Sequence, residues 1–425
     1  MNNKRTKGEN VYQLVQKRLK FLFNEFDNIY VSFSGGKDSG VLLNLCIQYI
    51  REHNLDRKIG VYHMDYEAQY QMTTEYVEQT FRENQDILEI YHVCVPFKVV
   101  TCASMFQTYW RPWDESMHAH WVRPMPKNCY KKEDFPFYNE EMWDYTFQTS
   151  FASWYHKKHD AVRTCCLVGI RTQESLDRWR TIHGNNRLNS YHNLMWTRRL
   201  GYDLYNAYPI YDTEDIWTAY ARFKWPFNQM YELYYKAGVP LDRQRVASPF
   251  LSTAQETLKL YKAIDPNTWG RMLGRVNGVN FTGIYGGTRA MGWQNIKLPE
   301  GYTWKEYMYF LLDTLPEETK QSYLEKLRVS REFWKYKGGC LDLSTIRKLT
   351  DLGIKFYVQK KTNYKTDKLP VQMDYLDDID IAEFKEIPTY KRMCICILKN
   401  DHVCKYMGFA LTKKEKLRRD RVMQK

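Results

Sequence analysis

Apolar positions in the first half of the chain follow two alternating rhythms. Short β-branched and aromatic runs of strand length occur at Asn28–Ser34 (NIYVSFS), Lys58–Asp65 (KIGVYHMD), Asp86–Val95 (DILEIYHVCV) and Thr164–Ile170 (TCCLVGI). Between them, apolar residues recur at helical spacing. Leu42, Leu43, Cys46, Ile47 and Ile50 do so after Ser39, Thr74–Asn84 does so again, and a further helix opens in Arg171–Trp179. Strands alternating with helices predict an α/β fold with a doubly wound, mostly parallel sheet. Cys165 and Cys166 alternate faces of one strand, so at most one can face a site, and both suit a core.

The rhythm breaks twice. A long insertion, about 99–158, separates the third and fourth strands and carries QTYWRPWDESMHAHW. Trp110, Trp113 and Trp121 offer stacking faces there, with Arg111 and Arg123 for anions, or they simply pack the insertion. His118 and His120 are two residues apart, a poor spacing for two metal ligands on one helical face. Beyond about Trp225 helices take over: Phe227–Gly238, Thr253–Ile264, Pro316–Val329 and Thr389–Asn400, with a glycine-rich stretch at Trp269–Trp293. That stretch either folds back over a ligand or forms a tight structural loop. The pattern predicts a nucleotide-binding α/β domain at 1–225, a helical and glycine-rich extension at 226–298, and a mainly helical C-terminal domain at 299–425.

With 425 residues, 44% hydrophobic and 16% aromatic, the chain can bury a full core and is not of the disordered class. No run of eighteen or more apolar residues occurs, which predicts no membrane span. The basic first twenty residues lack the apolar stretch of a signal peptide, and the expectation is a soluble, cytoplasmic protein. Ten dispersed cysteines then read as free thiols or metal ligands rather than a disulfide framework. The net charge of +13 favours a polyanionic partner, a nucleotide or a nucleic acid. The basic run Lys413–Arg421 also suits a solvated helix face.

Chemistry concentrates in Ser34-Gly35-Gly36-Lys37-Asp38-Ser39, where a strand turns into a helix. Two glycines allow close backbone approach to a phosphate, and the helix N-terminus adds N–H donors. Ser34 and Ser39 add hydroxyls and Lys37 a charge, while Asp38 either caps the helix or holds a phosphate-bound magnesium ion. The spacing is not that of the Walker A loop. At background frequencies of about 5–7% per residue type, five fixed positions match by chance roughly once per million sites.

Ser32–Ser39 (SFSGGKDS) resembles the pyrophosphatase loop of PP-loop ATP pyrophosphatases, within the HUP-like adenine nucleotide alpha-hydrolase superfamily. Val168–Arg180 (VGIRTQESLDRWR) is similar to a motif of the phosphoadenosine phosphosulfate reductase branch. Tyr208–Phe223 (YPIYDTEDIWTAYARF) is similar to another, shortened between Asp212 and Asp215. His63–Tyr70 occupies the position where that branch contacts the nucleoside. The remainder looks like a large subfamily often encoded beside a ParB-like protein, which the resemblance implies as a partner.

The resemblance implies ATP and Mg2+ as cofactors and cleavage between the α- and β-phosphates, with adenylyl transfer to an acceptor, nucleic acid being one. The alternative is an ATP-binding regulatory or effector subunit. Lys37, Asp38 and Arg171 take catalytic places, Asp38 with the magnesium. Asp65 accepts a ribose hydroxyl, or is only a turn residue. Glu174 and Arg178 lie on the helical face of Arg171, Glu174 orienting that guanidinium. Asp212 and Asp215 cap a helix or join the site.

No cysteine lies between Cys166 and Cys340, and the reductases' C-terminal catalytic cysteine segment is missing. Sulfonucleotide reduction and an iron–sulfur cluster are therefore not expected. Cys394, Cys396, His402 and Cys404 have a spacing that could hold Zn2+, although the interleaved Met393, Ile395 and Ile397 equally describe a buried helix.

Overall fold

The computed structural model describes residues 10–408, apart from 175, 184–188, 212–215, 242, 247, 252–253, 256, 287, 289–295 and 360–366. Asp212 and Asp215, the end of the glycine-rich stretch and the basic run at 413–421 therefore lie outside the described residues.

The chain enters through helix α1 (Val11–Glu25), where Asn10 and Gln13 form a reciprocal capping box. Strand β1 (Asn28–Ser32) then leads into α2 (Lys37–Glu52), followed by β2 (Ile59–Met64), α3 (Gln71–Glu83) and β3 (Leu88–Val93). The insertion contributes a two-stranded ribbon, β4 (Val99–Val100) with β5 (Tyr109–Trp110), and helix α4 (Asp144–Lys158). The chain returns as β6 (Thr164–Val168), then α5 (Leu176–His183), β7 (Thr197–Gly201) and β8 (Leu204–Ala207).

The six-stranded sheet has the order β3-β2-β1-β6-β8-β7, parallel except for the β7–β8 pair. Strand order reverses between β1 and β6. Open α/β sheets bind ligands at such a switch point, beyond the carboxyl ends of the strands.

Alternation along the strands feeds two cores. Ile29, Val31, Val61 and Cys165 point to one face, packed by α1, α2, α3 and α6 (Ile216–Phe223). Tyr30, Tyr62, Met64 and Cys166 point to the other, packed by α4 and α7 (Met230–Lys236). The segment after residue 250 joins this second core as α8 (Tyr261–Ile264), α9 (Pro266–Met272) and α10 (Val279–Tyr285). Much of the glycine-rich stretch is thus helical, because Asp265 caps α9 and Pro266 sits at its first turn.

The C-terminal region is mostly helical: α11 (Trp304–Asp313), α12 (Glu317–Tyr336), α13 (Leu343–Asp351) and α14 (Tyr390–Leu398). It also carries a small antiparallel sheet of β9 (Gly339–Leu341), β10 (Phe356–Val358) and β11 (Leu369–Met373), in the order β10-β11-β9. His402 reaches back to the insertion, with Nε2 at 2.9 Å from the Ser104 carbonyl. Among the described residues no helix is long and apolar enough to cross a membrane.

Candidate functional site

The loop after β1 and the loop after β6 meet at the switch point around a cavity of about 250 Å3. Gly35 turns the chain with φ +74°, a conformation that glycine adopts without penalty. Ser34 and Ser39 hydroxyls lie 3.0 Å apart and tie the loop's two ends together. Gly36 serves as N-cap of α2, so the first turn of that helix opens on the cavity.

Close packing holds the loop in place. A Cβ on Gly169, just past β6, would lie 2.8 Å from the Asp38 carbonyl and from the Ser39 backbone nitrogen. Asn228 donates to the Gly35 carbonyl at 3.0 Å and to Thr73 at 2.9 Å. Tyr220 donates to the Lys37 carbonyl at 2.8 Å, and the Lys37 N–H donates to the Tyr231 hydroxyl at 3.1 Å.

Charges of both signs line the cavity. Lys37 Nζ lies 3.3 Å from Asp38 Oδ2 and 3.4 Å from the Gln244 carbonyl. Burial pushes the Lys37 ammonium below its ordinary pKa, opposed by the Asp38 carboxylate and helped by Arg171. Arg171 Nε donates to Asp38 Oδ1. Glu174 pairs with Arg178 and comes within 4.0 Å of Lys37. The expectation that Glu174 orients the Arg171 guanidinium is thereby corrected. Asp38 holds that side chain, while Glu174 receives the Arg171 backbone N–H at 3.3 Å.

Ser34, Gly36, Lys37, Asp38, Ser39, Glu174 and Arg178 thus all face one cavity. Tyr231, Gln244 and Arg245 complete its wall, and Arg245 donates to the Glu174 carbonyl at 2.9 Å. Sequence reasoning missed these three. The signal available was the pair Arg243 and Arg245 within Leu241–Phe250.

Asp65 is elsewhere. It lies just past β2 as expected, but it is buried and its carboxylate is fully engaged. Arg123 donates to both oxygens, His92 Nε2 lies 2.7 Å from Oδ2, and the Glu67 N–H donates to Oδ1 at 2.9 Å. Burial raises its pKa, but Arg123 and His92 outweigh that and hold the carboxyl far below the usual range. An oxygen so committed does not accept a ribose hydroxyl, which corrects that expectation.

Ligand atoms of His63, Asp65 and His92 all lie within 4.8 Å of one another, and the Arg123 guanidinium supplies there the positive charge a metal would. Beside them Glu67, with no accessible surface, accepts both Arg275 nitrogens at 2.8 and 2.9 Å, and the N–H groups of Trp113 at 2.7 Å and Val122 at 2.9 Å. Trp110 and Trp113 are buried and Arg111 donates to the Pro96 carbonyl, so the insertion's aromatics and arginines build structure rather than an open stacking pocket.

The C-terminal quartet does not converge, which corrects the zinc expectation. Cys394 donates to the Trp304 carbonyl and Cys396 to Asp401, while His402 is held between Ser104 and Tyr323. Among the described residues, these four do not form a group of ligand atoms close enough for one metal.

Residues 28–237 match the family described as phosphoadenosine phosphosulfate reductase domain, and residues 238–418 match a domain of unknown function, DUF3440. The uncharacterized protein YbdN of Escherichia coli (strain K12) is 31% identical over 418 residues, spanning 96% of this chain and 93% of that protein. Among solved structures, phosphoadenylyl-sulfate reductase from Candida auris, in a phosphate complex, is 13% identical. It covers 52% of this chain and 84% of its own, with a TM-score of 0.29. The FMN adenylyltransferase of Candida glabrata, in complex with FMN and the ATP analogue AMPCPP, is 15% identical. It covers 54% of this chain and 64% of its own, with a TM-score of 0.31. The chain thus belongs to one family with YbdN, and it joins a phosphoadenosine phosphosulfate reductase domain to a DUF3440 segment.

Proposed function

We propose that the chain binds ATP at Ser34–Ser39, with Gly35, Gly36 and Lys37 receiving the phosphates, and cleaves it between the α- and β-phosphates. The observation that carries this reading is the cavity at the β1–β6 switch point, where Lys37, Arg178 and Arg245 surround the N-terminus of α2. In the reaction an acceptor oxygen, nitrogen or sulfur forms a bond to the α-phosphorus. The α-phosphorus–oxygen bond to the β-phosphate breaks, and pyrophosphate leaves with the electron pair. Charge grows on the departing oxygens, where prepositioned cations and N–H groups stabilise it most.

Asp38, with Glu174 beside it, offers the hard carboxylate oxygens that suit Mg2+. Bound with the phosphates, the ion would supply further charge neutralisation. Asp38 now holds Lys37 and Arg171, so entering phosphates would take over those cations and release carboxylate oxygens.

The acceptor class that suits the net charge of +13 is nucleic acid, presented with or without a ParB-like partner. A second reading, an ATP-binding regulatory or effector subunit, is favoured by one observation. The cavity's carboxylates are already paired with its own cations, so nucleotide entry must rearrange them. That rearrangement would be transmissible through Arg245 and Tyr231.

The test is incubation with Mg2+ and ATP labelled at the α-phosphate, alone and with nucleic acid. AMP or an adenylylated species, together with pyrophosphate, is expected, and loss of both in Lys37→Ala. ADP with phosphate would overturn the proposal. Tight binding without turnover would support the second reading instead.

A further inference from the structure

A second cavity, of about 410 Å3, adjoins the one at the β1–β6 switch point, and Tyr231 and Gln244 line both. Helix geometry and one turn build it. Tyr231 and Tyr235 stand four residues apart on α7 and so share a face. Gly238, at φ +73°, ends that helix and turns the chain back, which brings Leu241 and Gln244 to the cavity. The Gln244 side-chain amide is fixed there, donating to the Val239 carbonyl at 2.8 Å. Trp217 of α6 meets Phe227 and Tyr231 steeply, at 81° and 72°, with ring centres 5.6 and 5.5 Å apart. Rings set this way form a corner rather than a closed stack, and a flat guest ring can pack against them.

The outer side of the cavity is apolar and uncovered, with Tyr235 72% exposed and Leu241 60%. Lys236 and Glu232 stand at its rim, 3.9 Å apart and both well exposed. An exposed pair of this kind is weak, so an anion can take the Lys236 ammonium from it. Exposed rings beside a cation, on a chain of net charge +13, are the combination that holds the bases and backbone of an unpaired strand. A cleft beside α12 has similar residues in Tyr309, Tyr336 and Arg328, but Glu325 and Glu332 already hold that arginine.

We propose that the second cavity is a base-stacking subsite for single-stranded nucleic acid. An unpaired base packs against Trp217, Phe227 and Tyr235, and Lys236 meets a neighbouring phosphate. A duplex does not suit it, because its bases are already stacked and paired. Both shared wall residues touch Lys37. The Tyr231 hydroxyl accepts the Lys37 N–H at 3.1 Å, and Lys37 Nζ donates to the Gln244 carbonyl at 3.4 Å. A strand anchored in the second cavity is therefore one side chain away from the loop's lysine. As a binding site the cavity stands on its own residues; as the place that presents an acceptor strand it rests on the function proposed above.

The test uses the full-length protein, without ATP or Mg2+, and a fluorescein-labelled oligothymidylate of about 15 residues, followed by fluorescence anisotropy. The strand is expected to bind, and a strand of equal length made of abasic residues to bind roughly 10-fold or more weakly. Tyr235→Ala should weaken binding by roughly 5- to 150-fold, the effect of one stacked base, whereas Tyr235→Phe should retain it. Lys236→Gln should make the slope of log affinity against log salt shallower by about 0.7. Failure of the oligothymidylate to bind, equal affinity for the abasic strand, or wild-type affinity in Tyr235→Ala overturns the proposal. The abasic comparison needs no variant, so it decides even if Tyr235→Ala fails to fold. Base-dependent binding by a protein that leaves α-labelled ATP intact would remove the function proposed above and keep this subsite. ATP cleavage with wild-type strand affinity in Tyr235→Ala would do the reverse.

Discussion

Replacing Glu67 by alanine tests how the insertion is fastened to the sheet. Glu67 has no accessible surface, and its carboxylate accepts two bonds from Arg275 and two from the backbone N–H groups of Trp113 and Val122. Removing one partner of a buried ion pair costs about 3–5 kcal/mol, because the other charge is stranded. Each buried N–H left without an acceptor adds about 1–3 kcal/mol. Arg275 keeps its bond to the Arg111 carbonyl and water will enter, so the sum is smaller than the parts. A loss of roughly 5 kcal/mol is expected, comparable to the whole stability of a marginal domain.

Glu67 also sits at φ +62°, so Glu67→Gly relieves strain that alanine retains and should be about 1–2 kcal/mol less damaging than Glu67→Ala. The double variant Glu67→Met with Arg275→Met removes both charges, and should be milder than Glu67→Ala alone. Urea titration followed by tryptophan fluorescence measures all three. A Glu67→Ala midpoint equivalent to less than about 1 kcal/mol, or a double variant worse than the single, would refute the reasoning.

Other consequences are equally measurable. On the proposed function, Arg245→Ala would remove one charge-assisted contact to a phosphate, about 1.5–3 kcal/mol, and should weaken ATP binding by roughly 10- to 150-fold in a calorimetric titration. Gly35→Ala combines a left-handed backbone with a Cβ 2.9 Å from Val77 Cγ2 and 3.1 Å from Thr73 Cγ2, and should cost about 2–4 kcal/mol by denaturant titration.

Acid should weaken the fold through His63. Burial, helped by His92, lowers its pKa to about 4, so between about 6.5 and 4 the unfolded chain binds a proton that the folded chain refuses. Stability is fully present above 6.5 and falls by about 3 kcal/mol as the pH drops to 4. A His63→Gln variant should lack that part of the slope. The depressed carboxyl of Asp65 acts at lower pH, its contribution being lost only as the pH falls from about 4 towards its folded value.

The loop between β1 and α2 was legible in the sequence because everything that shapes it is local: a strand, two glycines and a helix start within a dozen residues. Arg245 and Tyr231 were not, because they reach the loop only through tertiary packing from about two hundred residues away. Asp65 lies at the end of β2 and holds the turn there by accepting the Glu67 N–H, the second of its two readings, while its partner Arg123 was not legible because it comes from the insertion. Of the two readings of the cysteine spacing the buried helix holds, because Met393, Cys394, Ile395, Cys396 and Ile397 are all buried on α14. Cys394 and Cys396 lie two apart on α14, and residues at that separation point to different sides of a helix. The small sheet of the C-terminal region escaped notice because β9 and β10 are three residues long and show no alternation.

The border between the two family segments, at residues 237 and 238, divides the residues that line the cavity at the β1–β6 switch point. Lys37 and Glu174 stand on one side of it, Gln244 and Arg245 on the other, joined by the Lys37–Gln244 and Arg245–Glu174 contacts. A cut at that border would leave a first segment with an open-sided loop and a second carrying an arginine with nothing to bind. Exchange of either segment between relatives would work only where both halves of the wall were inherited together. The DUF3440 segment thus supplies part of the cavity's wall, and neither segment encloses that cavity by itself.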